Sequence, residues 1–483
     1  MNILFTSSEV YPLIKTGGLA DVAYNLPKAL KNLHQSVRIL MPAYSSVLKK
    51  LSNSKVLNTI QLKGESVKII ETQIYPSRLK VWLIDCPPYF DRPGNPYVNE
   101  QGQDWHDNAL RFGFFCEVAA LIATNQLGLK WQADIVHCND WQSGLIPVYL
   151  QTIISKKPPK TIFTIHNLAY QGLFPYSTFT QLHLPDNLWS PEGLEYYGQM
   201  SFIKGGLVFA DTITTVSPRY AEEILTPEFG CGLEGLLQHR QHDLVGIING
   251  IDEREWNPAK DVSITQHYNS RTLPAKSDNK QALQTECGFT QKLANGKQPL
   301  LIGMVTRLSE QKGIDLLIDS IPALTQLPIQ LVILGSGDLH YENTLHAAAK
   351  KYPDKIHVIT AYDESLAHRI IAGADIFLMP SRYEPCGLTQ LYSLRYGTLP
   401  LVRAVGGLAN TVVNSNDESI NNLTATGFSF TEENPLALQQ SVKYALACFA
   451  QNSLWKKIQL TAMKKDFSWK KSAQHYLQLY QEC

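Results

Sequence analysis

The stretch Pro380-Ser-Arg-Tyr-Glu-Pro-Cys-Gly-Leu-Thr-Gln390 carries the most chemistry for its length. Glu384 offers a carboxylate. Gly387, Leu388 and Thr389 stand at the head of a run in which Leu388, Leu391, Tyr392 and Leu394 recur at roughly helical spacing. Backbone N–H groups that open a helix have no internal partner and make a natural anion site. A carboxylate beside such a site repels what the site binds, unless a neutral or cationic group is held between them. A helix cap and a turn glycine explain the same residues without any ligand. Positive charge stands in Arg307-Leu-Ser-Glu-Gln-Lys-Gly313. Arg307 can grip a phosphate bidentately and Lys312 supplies a point charge, a pair suited to a diphosphate. The plain alternative is a solvated arginine and a surface lysine.

Further candidates stand at turns. Lys15, Gly17 and Gly18 follow a first apolar segment, Asn2–Thr6. The glycines let a ligand approach the backbone and Lys15 adds a mobile charge, although a structural turn explains them equally. The G-x-G-x-x-G pattern is absent there, which argues against a nicotinamide or flavin site. Gly335 lies in Leu334-Gly-Ser-Gly-Asp338, and Gly406-Gly407 forms another turn. Asn139, Asp140 and Trp141 end one apolar segment, and His166 and Asn167 end another. There is no H-E-x-x-H, G-x-S-x-G or Walker A lysine pattern, and no dense Asp cluster reads as a metal cage. No metal site or cofactor is therefore predicted. A departing diphosphate would be neutralised by Arg, Lys and helix N-termini.

The elements that must position these groups alternate. Apolar runs at 2–6, 37–41, 81–84, 134–137, 161–165 and 212–216 read as buried strands, with helical stretches between them. Val22, Leu26, Leu30 and Leu33 mark a helix face, which Pro27 should kink or restart. Residues 87–107, rich in Pro, Gly, Asn and Asp, read as a long surface loop. A second series has strands at 300–305, 330–334, 355–359, 375–379 and 399–402. The prediction is α/β, with two Rossmann-like doubly wound domains, 1–247 and 248–460. The aromatic-rich helix within 461–483 is expected to pack back on the first. In such sheets, ligands bind where strands end and helices begin.

Composition sets the outer limits. The chain has 483 residues, 44% hydrophobic and 18% charged, which is globular and too long for one core. Lys plus Arg equals Asp plus Glu, 43 each, so no global field favours nucleic acid or an anionic membrane. Met1-Asn-Ile-Leu-Phe5 lacks a basic leader, and no apolar run approaches the ~18 residues of a membrane span. Eight cysteines without a C-x-x-C pair fit a reducing cytoplasm.

Taken in chain order, five motifs resemble those of the bacterial glycogen synthases, retaining glucosyltransferases of the two-Rossmann-domain GT-B type related to plant starch synthases. They are Lys15-Thr-Gly-Gly-Leu-Ala-Asp21, Thr164-Ile-His-Asn-Leu-Ala-Tyr-Gln-Gly172, Asn249-Gly-Ile-Asp252, Arg307 to Gly313 and Glu384-Pro-Cys-Gly-Leu-Thr-Gln390. The resemblance implies a deep cleft between an acceptor-side and a donor-side domain. It implies ADP-glucose as donor, ADP as product and a growing α-1,4-glucan as acceptor, with no nucleic acid or membrane partner. It places Arg307 and Lys312 on the diphosphate, with Lys15 beside it and Gly18, Leu388 and Thr389 adding contacts. Glu384 would hold the glucosyl hydroxyls, His166 would touch the sugar at the reacting centre, and Tyr362 would stack on adenine. Asp140 and Asp21 would lie near sugar or acceptor. Gly17, Asn249, Gly335 and Gly387 complete the donor-side positions. Asn139 and Gln142 stand where the family usually has imidazoles, which leaves them a hydrogen-bonding role. Tyr392 stands where the wider superfamily often has a second Glu. A related transferase using UDP-glucose or a small acceptor, and a non-catalytic glucan-binding protein, are the rival readings.

Overall fold

A computed structural model describes residues 1–153, 155, 157–293 and 296–483. The chain divides into two compact units, Met1–Gly250 with Trp469–Cys483, and Ile251–Ser468.

The first unit is built on a sheet whose strands are β1 (Asn2–Thr6), β2 (Ser36–Pro42), β3 (Ser54–Leu62), β4 (Glu65–Ile74), β5 (Leu79–Asp85), β6 (Ile135–Asn139) and β7 (Lys160–Ile165), followed later in the chain by two more. Between these come a small antiparallel sheet, β8 (Leu173–Pro175), β9 (Glu195–Tyr196) and β10 (Gln199–Ser201), and then β11 (Thr212–Thr215) and β12 (Leu244–Gly246). The main sheet runs β12-β11-β7-β6-β1-β2-β5-β4-β3, parallel from β12 to β5 and antiparallel at β4 and β3. The parallel strands are the apolar runs of the sequence. Helices cover both faces, so these strands need no polar face.

Sequence pattern and structure differ at two places. Helix Gly18–Asn32 runs through Pro27 without restarting. Pro27 is buried there, and packing of the apolar face holds the helix despite the missing N–H. The hairpin β3–β4 was not anticipated. No residue of β3 is buried and its exposure alternates only over Asn58–Leu62, so the strand's period is weak, and Lys63-Gly64, with φ of 51° and 82°, is a weaker hairpin signal than Asn-Gly.

The second unit has one parallel sheet, β15-β14-β13-β16-β17-β18. Its strands are β13 (Leu300–Val305), β14 (Ile329–Leu334), β15 (Ile356–Ile359), β16 (Ile376–Met379), β17 (Leu399–Arg403) and β18 (Phe428–Phe430). Lys280 pairs with Asp375 at 2.6 Å, and Lys276 donates to Ala372 O and Thr398 Oγ1, both at 2.6 Å. Two buried lysine side chains thus pin helix Lys276–Glu286 to helix Glu364–Gly373 and to the segments that lead into β16 and β17.

The terminal helix begins later than residue 461. Asn452–Met463 is a helix of the second unit, with Trp455, Ile458, Ala462 and Met463 in its core. Asp466 Oδ1 then accepts the Ser468 N–H at 2.9 Å, a local turn that breaks the helical run, and Trp469–Glu482 belongs to the first unit. His137, fully buried, is bonded to Tyr480 Oη at 2.5 Å and Thr164 Oγ1 at 2.6 Å, and Trp469, Ala473, Tyr476 and Tyr480 join the first core. The first unit also keeps Asn249, which the sequence places just inside the second domain. Ile247 still bonds to Thr215 O, and Ile248 O accepts from Ser472 of the terminal helix, so the β12 edge continues past 247.

Candidate active site

In the second unit the candidate residues follow four adjacent parallel strands: Arg307 after β13, Gly335 after β14, Tyr362 after β15 and Glu384 after β16. This is the carboxyl edge of the sheet, where open α/β sheets bind ligands. Glu384 is 7% exposed. Its Oε2 accepts from Lys312 Nζ at 2.6 Å and from Ser381 Oγ at 2.9 Å. The cation beside the carboxylate is therefore Lys312 itself. The first hydrogen bond of helix Thr389–Arg395 is donated by Tyr392 to Leu388 O, so the N–H groups of Gly387, Leu388 and Thr389 precede its ladder. Gln390, fully buried, donates to Cys386 O, Gly387 O and Thr411 Oγ1 and thereby braces this turn.

Two glycines owe their identity to close approach. A Cβ at Gly335 would lie 1.8 Å from Thr306 O, so Gly335 lets the loop carrying Arg307 lie against the end of β14. Leu308 N donates to Ser336 O and Asp338 N to Leu308 O, fixing that loop and leaving Arg307 exposed. Gly406, at φ +46°, would set a Cβ 2.0 Å from Glu384 O. Behind the 380–384 turn, Arg382 grips Asp315 through two 2.6 Å bonds and reaches Glu433, while Arg403 Nη1 donates to Arg382 O. Tyr362 is 80% exposed.

In the first unit the loops after the adjacent strands β1, β6 and β7 carry Lys15 to Asp21, Asp140 and His166. Asp140 sits at φ +56°, a backbone conformation most side chains avoid and one that collects at functional sites. Its Oδ1 accepts the His166 N–H at 2.8 Å. Asn139 donates to Thr6 O at 2.9 Å, so its Oδ1 is the atom facing His166 Nε2 at 2.8 Å. An amide oxygen only accepts. His166 Nε2 must therefore carry the proton, and Nδ1 keeps its lone pair. Burial lowers the His166 pKa to about 3, so the ring is neutral near pH 7.

Lys15 pairs with Asp21 at 3.1 Å; Gly17 precedes and Gly18 opens helix Gly18–Asn32. Glu9, 3% exposed, holds this loop by accepting Thr16 N at 2.5 Å and Thr16 Oγ1 at 2.8 Å. Burial first, with Asp21 adding to it, raises the Glu9 carboxyl to about 7 against the hydrogen bonds from the loop. Burial likewise raises Asp140 to about 7, opposed by the His166 and Asn167 N–H groups. Asn249 stands apart, after β12, beyond β11 from β7. It is buried, and its Oδ1 has no hydrogen-bond partner among the described residues.

Comparison with known proteins settles what kind of chain this is. The starch synthase catalytic domain model matches residues 2–239, and that of glycosyl transferases group 1 matches residues 289–457. A glycogen synthase of Cellvibrio japonicus is 52% identical over 483 residues, covering 99% of this chain and 98% of that one. The glycogen synthase 2 of Nitrosococcus oceani is 51% identical, covering 99% and 97%. The chain belongs to the glycogen synthase family. Members of this family are glycosyltransferases, and so is this chain. The catalytic domain of starch synthase IV from Arabidopsis thaliana, solved with ADP and acarbose bound to it, is 30% identical, with a TM-score of 0.88 over 99% of this chain and 98% of that one. The sucrose-phosphate synthase of Thermosynechococcus elongatus, 16% identical at a TM-score of 0.59, shares the GT-B fold.

For a glycogen synthase family member, the first unit holds more site-forming groups than the motifs name. Asn139, a strand-end candidate with a hydrogen-bonding role, meets His166, and Glu9, which no motif marks, anchors the Thr16 loop. The one signal for Glu9 is a polar run, Thr6 to Glu9, directly after a buried strand. In the second unit, Ser381, Arg382 and Gln390 support the Glu384 turn, and no local pattern marks them for it. Tyr392, at the position of the wider superfamily's second Glu, is a stacked core residue 8% exposed. Among the described residues no group of three or more His, Cys, Asp or Glu is placed to hold a metal ion, and no helix is long and apolar enough to cross a membrane.

Proposed function

We propose that this glycosyltransferase moves glucose from ADP-glucose to the non-reducing 4-hydroxyl of an α-1,4-glucan, with retention of configuration. The observation that carries the reading is Glu384: a buried carboxylate, held by Lys312 and Ser381, heading a turn that opens into helix N–H groups. That is a place for a sugar that turns cationic beside a leaving diphosphate.

As C1 separates from the phosphate oxygen, negative charge grows on the diphosphate. Arg307, Lys312 and the N–H groups of Leu388 and Thr389 stabilise it. Glu384 favours the positive sugar. The 4-hydroxyl oxygen bonds to C1 on the face the phosphate leaves, and its proton passes to the departing phosphate, so no strong protein base is needed. His166, neutral and with its Nε2 proton committed to Asn139, serves as a polar contact to the sugar rather than as an acid. Asp140 and Asp21 orient sugar or acceptor hydroxyls, and the exposed face of Tyr362 stacks on the base. Arg, Lys and backbone N–H groups supply the neutralising charge, so transfer is proposed to need no metal. Eight cysteines without a C-x-x-C pair suit a cytoplasmic setting.

The test is glucose incorporation into glycogen from ADP-glucose and UDP-glucose side by side, with and without a chelator. Preference for ADP-glucose undiminished by the chelator is expected. Preference for UDP-glucose would overturn the donor assignment, since a single stacking ring accepts more than one base. Glycogen binding without ADP release would overturn catalysis.

A further inference from the structure

Away from Glu384, the second unit contains a parallel stack of three rings. The Trp256 ring lies 3.8 Å from that of His368 at 9°, and 3.8 Å from that of Tyr392 at 5°. All three are buried. The stack is locked at one end. Asp261 Oδ2 accepts from His368 Nδ1 at 2.7 Å and from Tyr396 Oη at 2.5 Å, and Asp261 Oδ1 accepts the Ser263 N–H at 2.9 Å. Burial alone would raise the Asp261 carboxyl, but these donors outweigh it and hold it below its ordinary value, so it remains an acceptor. Tyr268 Oη donates to Tyr396 O at 2.8 Å, so the segment 256–268 grips two helices at once.

Those helices matter because of what precedes each. His368 is on helix Glu364–Gly373, which begins two residues after Tyr362 and is capped by Asp363 accepting the Leu366 N–H. Tyr392 is on helix Thr389–Arg395, which opens at Leu388 and Thr389. One helix therefore carries the proposed base contact and the other the proposed diphosphate contact. The Trp256 ring lies between a ring of one helix and a ring of the other.

We propose that Trp256, clamped between His368 and Tyr392 and secured by Asp261, is a positioning residue that sets the distance between the nucleoside-contact and diphosphate-contact loops of the donor site. The inference rests on the donor reading above. Its physical content is a linkage effect. A ligand that engages both loops gains from their correct spacing, because the second contact forms at high effective concentration. A ligand that engages only one loop gains nothing from it.

The experiment compares ADP, adenosine and inorganic diphosphate as probes, measuring Kd by calorimetry or ligand-observed NMR on the full chain. Trp256→Leu fills most of the volume but removes the stacked ring. It should weaken ADP by about 10-fold or more while adenosine and diphosphate each change by less than about 3-fold, and Trp256→Phe should restore most of the ADP affinity. The wild type must first bind ADP; failure there overturns the donor reading and the spacer with it. If the wild type binds ADP and a folded Trp256→Leu retains that affinity, the spacer alone is overturned. Equal loss of all three probes indicates a merely structural role and also overturns it. Should Trp256→Leu fail to fold, Tyr392→Leu opens the other face of the stack and is read by the same comparison.

Discussion

Lys312 Nζ lies 2.6 Å from Glu384 Oε2, across 72 residues of sequence and at the carboxyl edge of the second sheet. The proposed phosphate-binding cation and the proposed sugar-binding carboxylate therefore hold each other in position. Lys312→Ala and Glu384→Ala should each lower kcat/KM by on the order of 10²-fold or more. The double variant should lose less than the product of the two, because each single change leaves a buried charge without its partner. A double-mutant cycle on initial rates checks this; strict additivity would show that the contact plays no part.

Gly335→Ala tests how Arg307 is positioned. The new Cβ would fall 1.8 Å from Thr306 O, so the loop must move. ADP affinity is expected to fall by about 10-fold or more, with a stability loss of about 1–3 kcal/mol, typical of overpacking. Kd by calorimetry and urea unfolding report the two quantities separately. Unchanged ADP affinity would detach Arg307 from donor binding.

Glu9 predicts a pH dependence of stability. Its carboxyl is raised to about 7 in the folded chain from an ordinary value of 4.5. Below the ordinary value both folded and unfolded forms are protonated and nothing is lost. Between the two values the folded state binds more protons, so this group's contribution falls as pH rises and levels off above about 7. Glu9→Gln keeps an acceptor for Thr16 and removes the titration. The variant should gain on the wild type by roughly 3 kcal/mol at most between pH 4 and pH 8, measured by denaturant unfolding. His137 and His166, both lowered to about 3 by burial, act oppositely in each protein and cancel in the comparison.

The terminal helix should be indispensable to the first unit. Tyr480→Phe removes the hydroxyl that meets His137 Nδ1 and should destabilise that unit by about 1–3 kcal/mol. Ending the chain at Ser468 should abolish its cooperative unfolding, because Trp469, Ala473, Tyr476 and Tyr480 leave the core. Fluorescence-detected unfolding and limited proteolysis distinguish the two outcomes, and a truncated chain with an unchanged transition would refute the assignment.

The parts of the fold that were legible were those with a local signature. The buried strands β1, β13 and β16 appear as apolar runs because helices shield both their faces. Glu384 and Gly387 were legible as a strand-end turn opening a helix, and Lys15-Thr-Gly-Gly18 as another. The β3–β4 hairpin was not, since an edge strand with no buried position carries only a short, weak apolar period. Glu9 has only a weak local mark, the polar run Thr6 to Glu9 after a buried strand, which does not tell a buried loop anchor from a surface glutamate.

The sequence by itself determined the alternation of strand and helix, the turns where chemistry would lie, and through five ordered motifs the family. Those are encoded within windows of a few residues to a few tens. Only the tertiary structure decided that Lys312 meets Glu384, that Asn139 fixes the His166 tautomer, that His137 is spent on a tyrosine 343 positions away, and that Trp256 lies between His368 and Tyr392. Each is a contact between segments whose local patterns are independent of one another. The partner of a buried polar or aromatic group follows from which elements the sheet order makes neighbours, and that order is a property of the whole chain's packing.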